Sequence, residues 1–438
     1  MRRIVDRAFL SERELSNNSW KMWSSLIEVY RDPHLVAKIQ QFFGVDIKYD
    51  EHDSASDYEN ESSSLQNTCD SSNGCSSSGD SLLIQRHKDS ESESQITSSS
   101  NKKPYVITNH FWYYLFLFGT ELGDEIFYCT FIPFWFWNID GAVGRRIVLV
   151  WATIMTIGQE LKDIIRWPRP SCPPVVRLQN KWSLEYGMPS THAMCAVSIP
   201  FSVLFFTMNR YIYSFPAGCA TAFLWCTLIC VSRLYLGMHT VLDVIAGLLL
   251  AMLMMIPLVP LVDVMDIHFL TNEWILLALV IISIATIIYY PSSNKWTPTR
   301  GDTTLVVSVA AGIYVGAWLN FKTGVLLKPE LPPPYEILWP SYPMLGKTVL
   351  RTTLGLCCVI ATKAICKCLS YATLCAILQV NSKELMQSEN SLENKNKTLV
   401  DLIYKYITCF MIGFNTVYLL PNVFTLIGIE RPTFYTEL

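Results

Sequence analysis

Two histidines and an aspartate offer this chain its clearest chemistry. His192 follows Pro189-Ser190-Thr191, and His239 stands four residues before Asp243. A carboxylate held against one imidazole nitrogen fixes the ring's tautomer and leaves the other nitrogen as a nucleophile. Lys162, Arg169 and Arg233 supply cations suited to phosphate oxygens. Arginine meets such oxygens with a two-pronged fork, lysine with a point charge. Ser190 and the N–H groups of Thr191 and His192 would open a helix, where orphan donors and the dipole favour an anion. His239 and Asp243 share a face only if their helix begins before His239; otherwise a loop must deliver the contact. The set points to phosphoryl transfer with histidine as attacker. Each piece alone reads as a cap, a surface pair or a solvent-facing cation; Arg166 and Arg177 stay in that last category, with a rim position greeting an anionic substrate as the functional alternative.

Those residues need elements that bring them together. Of the 438 residues 51% are hydrophobic and only 16% charged, with mean hydropathy +0.27, whereas soluble domains carry about 25% charged residues. Beyond residue 103 apolar runs succeed one another, several reaching the roughly 20 residues a helix needs to cross hydrocarbon. The spans expected are 111–137, 146–165, 191–208, 213–231, 241–261, 274–290, 304–320 and 349–366, with weaker candidates at 369–380 and 402–424. The fold class is therefore all-α, a polytopic transmembrane bundle of roughly eight to ten spans by the length rule. Trp112, Trp135, Trp137, Trp167, Tyr211, Trp274 and Tyr289 mark span ends, as interfacial aromatics do. Counting crossings carries Lys162, His192, Arg233 and Asp243 to one membrane face.

Four regions are expected. Residues 1–49 are a soluble segment whose stretch Asp32–Val45 is amphipathic, either an interfacial helix or a docking helix. Residues 50–103, rich in Ser, Asp, Asn and Glu, cannot bury enough apolar surface to order themselves. Residues 104–265 hold the catalytic membrane core, and 266–438 add further C-terminal transmembrane helices. The fourteen cysteines include no CxxC pair and most lie in apolar spans, so they read as small hydrophobes and not as metal ligands. A net charge of −3 gives no nucleic-acid signal. The N-terminus lacks the apolar core of a cleavable signal peptide. Glu121, Asp124 and Glu125 fall inside the first span, where a carboxylate is costly. Either they face the interior of the bundle, or the helix breaks near Gly119 and Gly123.

The spacing KxxxxxxRP, PSxH and SRxxxxxHxxxD resembles the type 2 phosphatidic acid phosphatase superfamily, with its six-helix core. It is met at Lys162, Arg169 and Pro170; at Pro189, Ser190 and His192; and at Ser232, Arg233, His239 and Asp243. The wording FGTELGDEIFY, FWFWNIDGAVGRR, LKDIIRWPRP, YGMPSTHAM and SRLYLGMHTVLD is similar to the sphingosine-1-phosphate phosphatase branch. The resemblance implies a hydrolase without metal or other cofactor. His239 would be the nucleophile, His192 the proton donor and Asp243 the residue orienting His239. Lys162, Arg169, Ser190, Thr191 and Arg233 would bind the phosphate. It further implies a sphingoid-base 1-phosphate drawn from the bilayer, and an endoplasmic reticulum membrane. The motifs alone fit a phosphatidate or polyprenyl phosphate equally, and a headgroup phosphotransferase is the nearest rival. Arg145, Arg146 and Arg210 lie on the face opposite the motifs, which by the positive-inside rule makes the catalytic face lumenal. Sequons at Asn17, Asn60 and Asn396 would report the sidedness.

Overall fold

The protein's computed structural model describes residues 24–47, 105–179, 182–291, 298–327, 329, 331–379, 395–431, 433 and 437. The segment expected to be disordered, 50–103, lies outside the described residues, as do Asn17, Asn60 and residues 381–394. Helix α1 (Pro33–Phe42) starts at Asp32, whose carboxylate accepts from the His34 N–H at 2.9 Å, with Pro33 in the first turn. Proline suits that place because its missing N–H would be unpaired there anyway. Val36 and Gln40 of α1 are buried, so the amphipathic stretch is a docking helix. Strands β1 (Val45–Ile47) and β2 (Tyr105–Ile107) pair antiparallel in a small unit of their own, residues 45–108.

The expected first span is two helices, α2 (His110–Glu121) and α3 (Glu125–Asn138). Gly123 is a poor helix former. The Asp124 carboxylate accepts from the Glu125 N–H at 2.7 Å and starts a new helix at once. Helix α4 (Gly141–Ile165) is capped by Asp140, which accepts from Ala142 and Val143. Then come α5 (Thr191–Thr207), α6 (Phe215–Tyr235), α7 (Val241–Thr271), α8 (Glu273–Ile288) and α9 (Thr299–Lys322). The spans expected at 349–366 and 369–380 are one helix, α10 (Tyr342–Leu378); no Gly or Pro separates them. Helix α11 (Lys395–Phe414) runs through a π turn, Asn415–Leu419, into α12 (Leu420–Ile427). Helix α7 extends past its expected end at 261, through Pro257 and Pro260.

Among the described residues six helical stretches are long and apolar enough to cross a membrane, and α5 and α8 are shorter apolar helices. The chain is a polytopic all-α bundle. The apolar windows of α4 and α9 are 67% and 61% buried, against 17–33% for the other long helices, so these two are the inner staves. Ile154, Met194, Ala251 and Met255 form a core joining α4, α5 and α7. Small residues let α9 and α11 touch: a side chain at Gly312 would strike the Phe410 carbonyl, the close approach that membrane helices use. At the end opposite the motifs, Arg145 makes a two-pronged contact with Asp266, both bonds 3.1 Å. Arg210 meets Asp140 at 2.5 Å and Arg431 meets Glu437.

Candidate active site

Four helix ends and two loops converge. Lys162, in the last turn of α4 and 1% exposed, donates to Glu185 Oε2 at 2.6 Å and to Thr191 Oγ1 at 2.9 Å. The α4 helix stops just beyond it, where Arg166 takes a left-handed φ of 55° ahead of Pro168. Arg169 then turns inward. Its Nε donates to the Glu185 carbonyl at 2.9 Å, and its Nη1 to the Met238 carbonyl at 2.7 Å. The same Nη1 lies 3.4 Å from His239 Nε2.

Ser190 caps α5, accepting from the Ala193 N–H at 3.5 Å, while its own N–H donates to the Asp243 carbonyl at 3.1 Å. The start of α5 is thereby tied to the start of α7. Gly247 permits this approach, because a Cβ there would come within 2.6 Å of the Ser190 carbonyl oxygen. Arg233, fully buried near the end of α6, donates through Nη1 to Thr120 Oγ1 at 2.8 Å. Its Nε and Nη2 have no partner among the described residues.

Helix α7 begins at Val241, after His239, so the loop delivers the histidine–aspartate contact. Thr240 and Asp243 form a reciprocal cap: the Thr240 N–H donates to Asp243 Oδ2 at 2.8 Å, and the Asp243 N–H donates to Thr240 Oγ1 at 3.2 Å. That cap aims Asp243 Oδ2 at His239 Nδ1, 3.8 Å away. Nε2 is left facing Arg169. Burial, then the charges of Arg169, Arg233, Lys162 and His192, hold the His239 ring well below the usual imidazole range, so it is neutral near pH 7. His192 is half-buried in the first turn of α5. It packs against Gly123, where an added Cβ would lie 2.9 Å from its Cδ2, and edge-on to Trp182.

All eight residues singled out by spacing thus surround one site. Arg166 and Arg177 do not aim into it: Arg166 Nε donates to the Asp163 carbonyl at 3.0 Å and Arg177 Nη2 to the Pro170 carbonyl at 3.3 Å.

The PAP2 superfamily profile matches residues 144–264, which span every one of these residues. Sphingosine-1-phosphate phosphatase 1 of Rattus norvegicus is 37% identical over 319 residues, 73% of this chain and 73% of its own length. Sphingosine-1-phosphate phosphatase 2 of Homo sapiens is 35% identical over 327 residues, 74% of this chain and 80% of its own length. The chain belongs to the sphingosine-1-phosphate phosphatase family, within the PAP2 superfamily. More remotely, lipid phosphate phosphatase delta of Arabidopsis thaliana is 28% identical over 221 residues, 47% of this chain and 53% of its own length. No solved structure matches the chain.

This member of the sphingosine-1-phosphate phosphatase family has three contributors that spacing did not reveal. Glu185, 6% exposed, sits between two cations, at 2.6 Å from Lys162 Nζ and 3.8 Å from Arg169 Nη2. Gln40, from α1, donates to the carbonyls of Val176 and Tyr235 at 2.6 and 2.8 Å and accepts from the Val176 N–H at 3.0 Å. It therefore clips the loop after Arg169 to the end of α6. Thr120 holds Arg233. None of the three falls in a motif, and a lone Glu, Gln or Thr carries no periodic signal.

Proposed function

We propose that this chain is a phosphohydrolase that dephosphorylates sphingosine 1-phosphate and related sphingoid-base 1-phosphates through a phosphohistidine at His239. One observation carries the mechanism: the neutral His239 ring turns Nε2 toward the cationic pocket and Nδ1 toward Asp243. Nε2 attacks phosphorus in line, and the ester P–O bond breaks. His192 gives its proton to the departing alkoxide, which leaves as the alcohol. His192 then takes a proton from water, the water oxygen attacks phosphorus, and the P–N bond breaks to release inorganic phosphate. Asp243 steadies the charge that grows on the imidazole. Its 3.8 Å separation from Nδ1 is a contact that tightens when substrate binds, as loose apo geometries do. Lys162, Arg169, Arg233, Ser190 and the N–H of Thr191 hold the equatorial oxygens, whose charge dominates a loose transition state.

The relatives' names point to the sphingoid phosphate, and the bundle supplies a bilayer setting in which the lipid tail can remain. The resemblance to the sphingosine-1-phosphate phosphatase branch is our ground for the endoplasmic reticulum membrane, and Arg145, Arg146 and Arg210 at the other end are our ground for a lumenal site. Asn396 lies at the same bundle end as the site, since Lys405 of α11 packs on Gly301 at the start of α9. Glycan attachment at Asn396 would therefore support the lumenal placement.

The deciding experiment is phosphate release by the purified wild type and His239→Ala over a panel of lipid phosphates. Wild type should release inorganic phosphate from sphingosine 1-phosphate, with chelator present, and be blocked by vanadate. The variant should release none. Transfer of the phosphate to a second lipid, or an active His239→Ala, would overturn the reading.

A further inference from the structure

The residue after Lys162 is gripped by helices that lie outside the superfamily core. Asp163 is buried in the last turn of α4. Its Oδ2 accepts from Thr299 Oγ1 at 2.5 Å and from the Tyr290 hydroxyl at 3.0 Å. That Tyr290 hydroxyl is also 3.0 Å from the Gln159 carbonyl, one turn back along α4. Thr299 and Tyr290 are themselves buried. Thr299 opens α9 and Tyr290 follows the end of α8, both beyond the residues 144–264 that the PAP2 profile covers. Arg300 pins the two elements together, donating through Nε and Nη2 to the Ile287 carbonyl at 3.2 and 2.9 Å. The carboxylate also stands at the positive end of α9, where the helix dipole favours it.

Helix α4 ends within three residues of this grip. Arg166 takes its left-handed φ of 55°, and its Nε returns to the Asp163 carbonyl at 3.0 Å. The last turn is therefore held at Asp163 through both main chain and side chain. Neighbours on a helix point about 100° apart, so Asp163 meets α8 and α9 while Lys162 meets Glu185 and Thr191. A roll or unwinding of this turn would carry the Lys162 ammonium away from Arg169 and the start of α5. Lysine is a point charge on a flexible stem, so its placement depends on the backbone beneath it.

We infer that Asp163 is a positioning residue for the proposed phosphoryl transfer, setting Lys162 against the phosphate by tying the last turn of α4 to the hydroxyls of Tyr290 and Thr299. The inference rests on the phosphohydrolase reading and deepens it, because it gives the C-terminal helices a part in the clamp. The motif residues meet the phosphate, and α8 and α9 fix where one of them stands. Preorganised charge counts most in the transition state. Loss of the tie should therefore fall on kcat and on vanadate, whose geometry resembles that state, more than on substrate binding.

The test uses the full chain in detergent, as wild type and as Tyr290→Phe/Thr299→Val, which removes both hydroxyls and nearly keeps the side-chain shapes. Phosphate release from sphingosine 1-phosphate gives kcat and KM, and protection against thermal unfolding gives vanadate affinity. A misplacement of about 1 Å can cost about 100-fold. Because Glu185 and Thr191 still hold Lys162, a fall of about ten-fold in kcat and in vanadate affinity is expected, with KM within about two-fold of wild type. Thr299→Ser, which keeps the hydroxyl, should stay near wild type where Thr299→Val does not. Ser283→Ala, which removes a 2.8 Å bond to Tyr406 from the middle of α8, should lower the melting temperature and leave kcat and vanadate binding unchanged. Should the double variant fail to fold, the contrast between Thr299→Val and Thr299→Ser carries the test. A folded variant with wild-type kcat and vanadate affinity, or a loss that Ser283→Ala reproduces, would overturn the inference. Wild type that frees phosphate from no lipid would instead sink the proposed function, and the vanadate arm would still decide the tie.

Discussion

Replacing Glu185 by alanine tests how the phosphate clamp is held together. The Glu185 carboxylate and the Lys162 ammonium are 4% and 1% exposed and 2.6 Å apart. Removing one member of a buried ion pair strands the other and destabilises by about 3–5 kcal/mol. Lys162 keeps Thr191 Oγ1 as an acceptor at 2.9 Å, which argues for the lower end, about 3 kcal/mol. The backbone carbonyl of residue 185 would still hold Arg169 Nε, so the loop should stay in place. Glu185→Gln keeps an acceptor for Lys162 and should lose roughly half as much. Catalysis should suffer beyond stability, because a displaced Lys162 misplaces the phosphate, and a shift of about 1 Å can slow turnover about 100-fold. Thermal unfolding in detergent, followed by tryptophan fluorescence, and kcat/KM on the preferred lipid give the two readouts. The order wild type, Gln, Ala is expected in both. An alanine variant as stable as wild type that binds vanadate more tightly would refute the reasoning, because Glu185 would then be an obstacle in the clamp and not its brace.

Three further outcomes are expected. His239 is held well below its usual range, so the acid limb of kcat/KM should lie below pH 6.5; a free-enzyme limb above that value tracing to His239 would contradict the burial argument. By linkage the unfolded ring binds a proton below about pH 6.5 while the folded ring does not, so stability should fall as pH drops through that range. Gly247→Val should destabilise by about 1–3 kcal/mol and slow turnover by parting α7 from the start of α5. Gly346→Ala on α10, where nothing lies within 4 Å, should be neutral or stabilising, so equal melting shifts would discount the close approach. Gln40→Ala leaves the Val176 N–H and two carbonyls unsatisfied, about 1–3 kcal/mol. Proteolysis should then cut first in the loop after Arg169, and unaltered protection would argue against the clip.

Much of the candidate site could be read from the chain alone. Motif spacing identified Lys162, Arg169, His192, Arg233, His239 and Asp243, and the lengths of the apolar runs between them dictated that they share a face. Alternation of helix direction is arithmetic when each run must span a bilayer. The caps at Asp140, Ser190 and Thr240 are likewise local, because a short polar side chain competes for the first N–H groups of a helix whatever surrounds it. Other features depend on partners distant in sequence. Glu185 and Gln40 have meaning only through Lys162, Arg169, Val176 and Tyr235, and nothing in their own neighbourhoods marks them. The docking of α1 was an even choice from its pattern, since an amphipathic face looks alike whether it meets lipid or protein; burial of Val36 and Gln40 decided it. The division of the first span was one of two alternatives, and packing of Gly123 on His192 together with the Asp124 cap selected it. Composition and order therefore set which residues meet at the membrane boundary. Tertiary packing decided which of their neighbours hold them there, because a buried charge or amide is satisfied by whatever chain lies beside it in space.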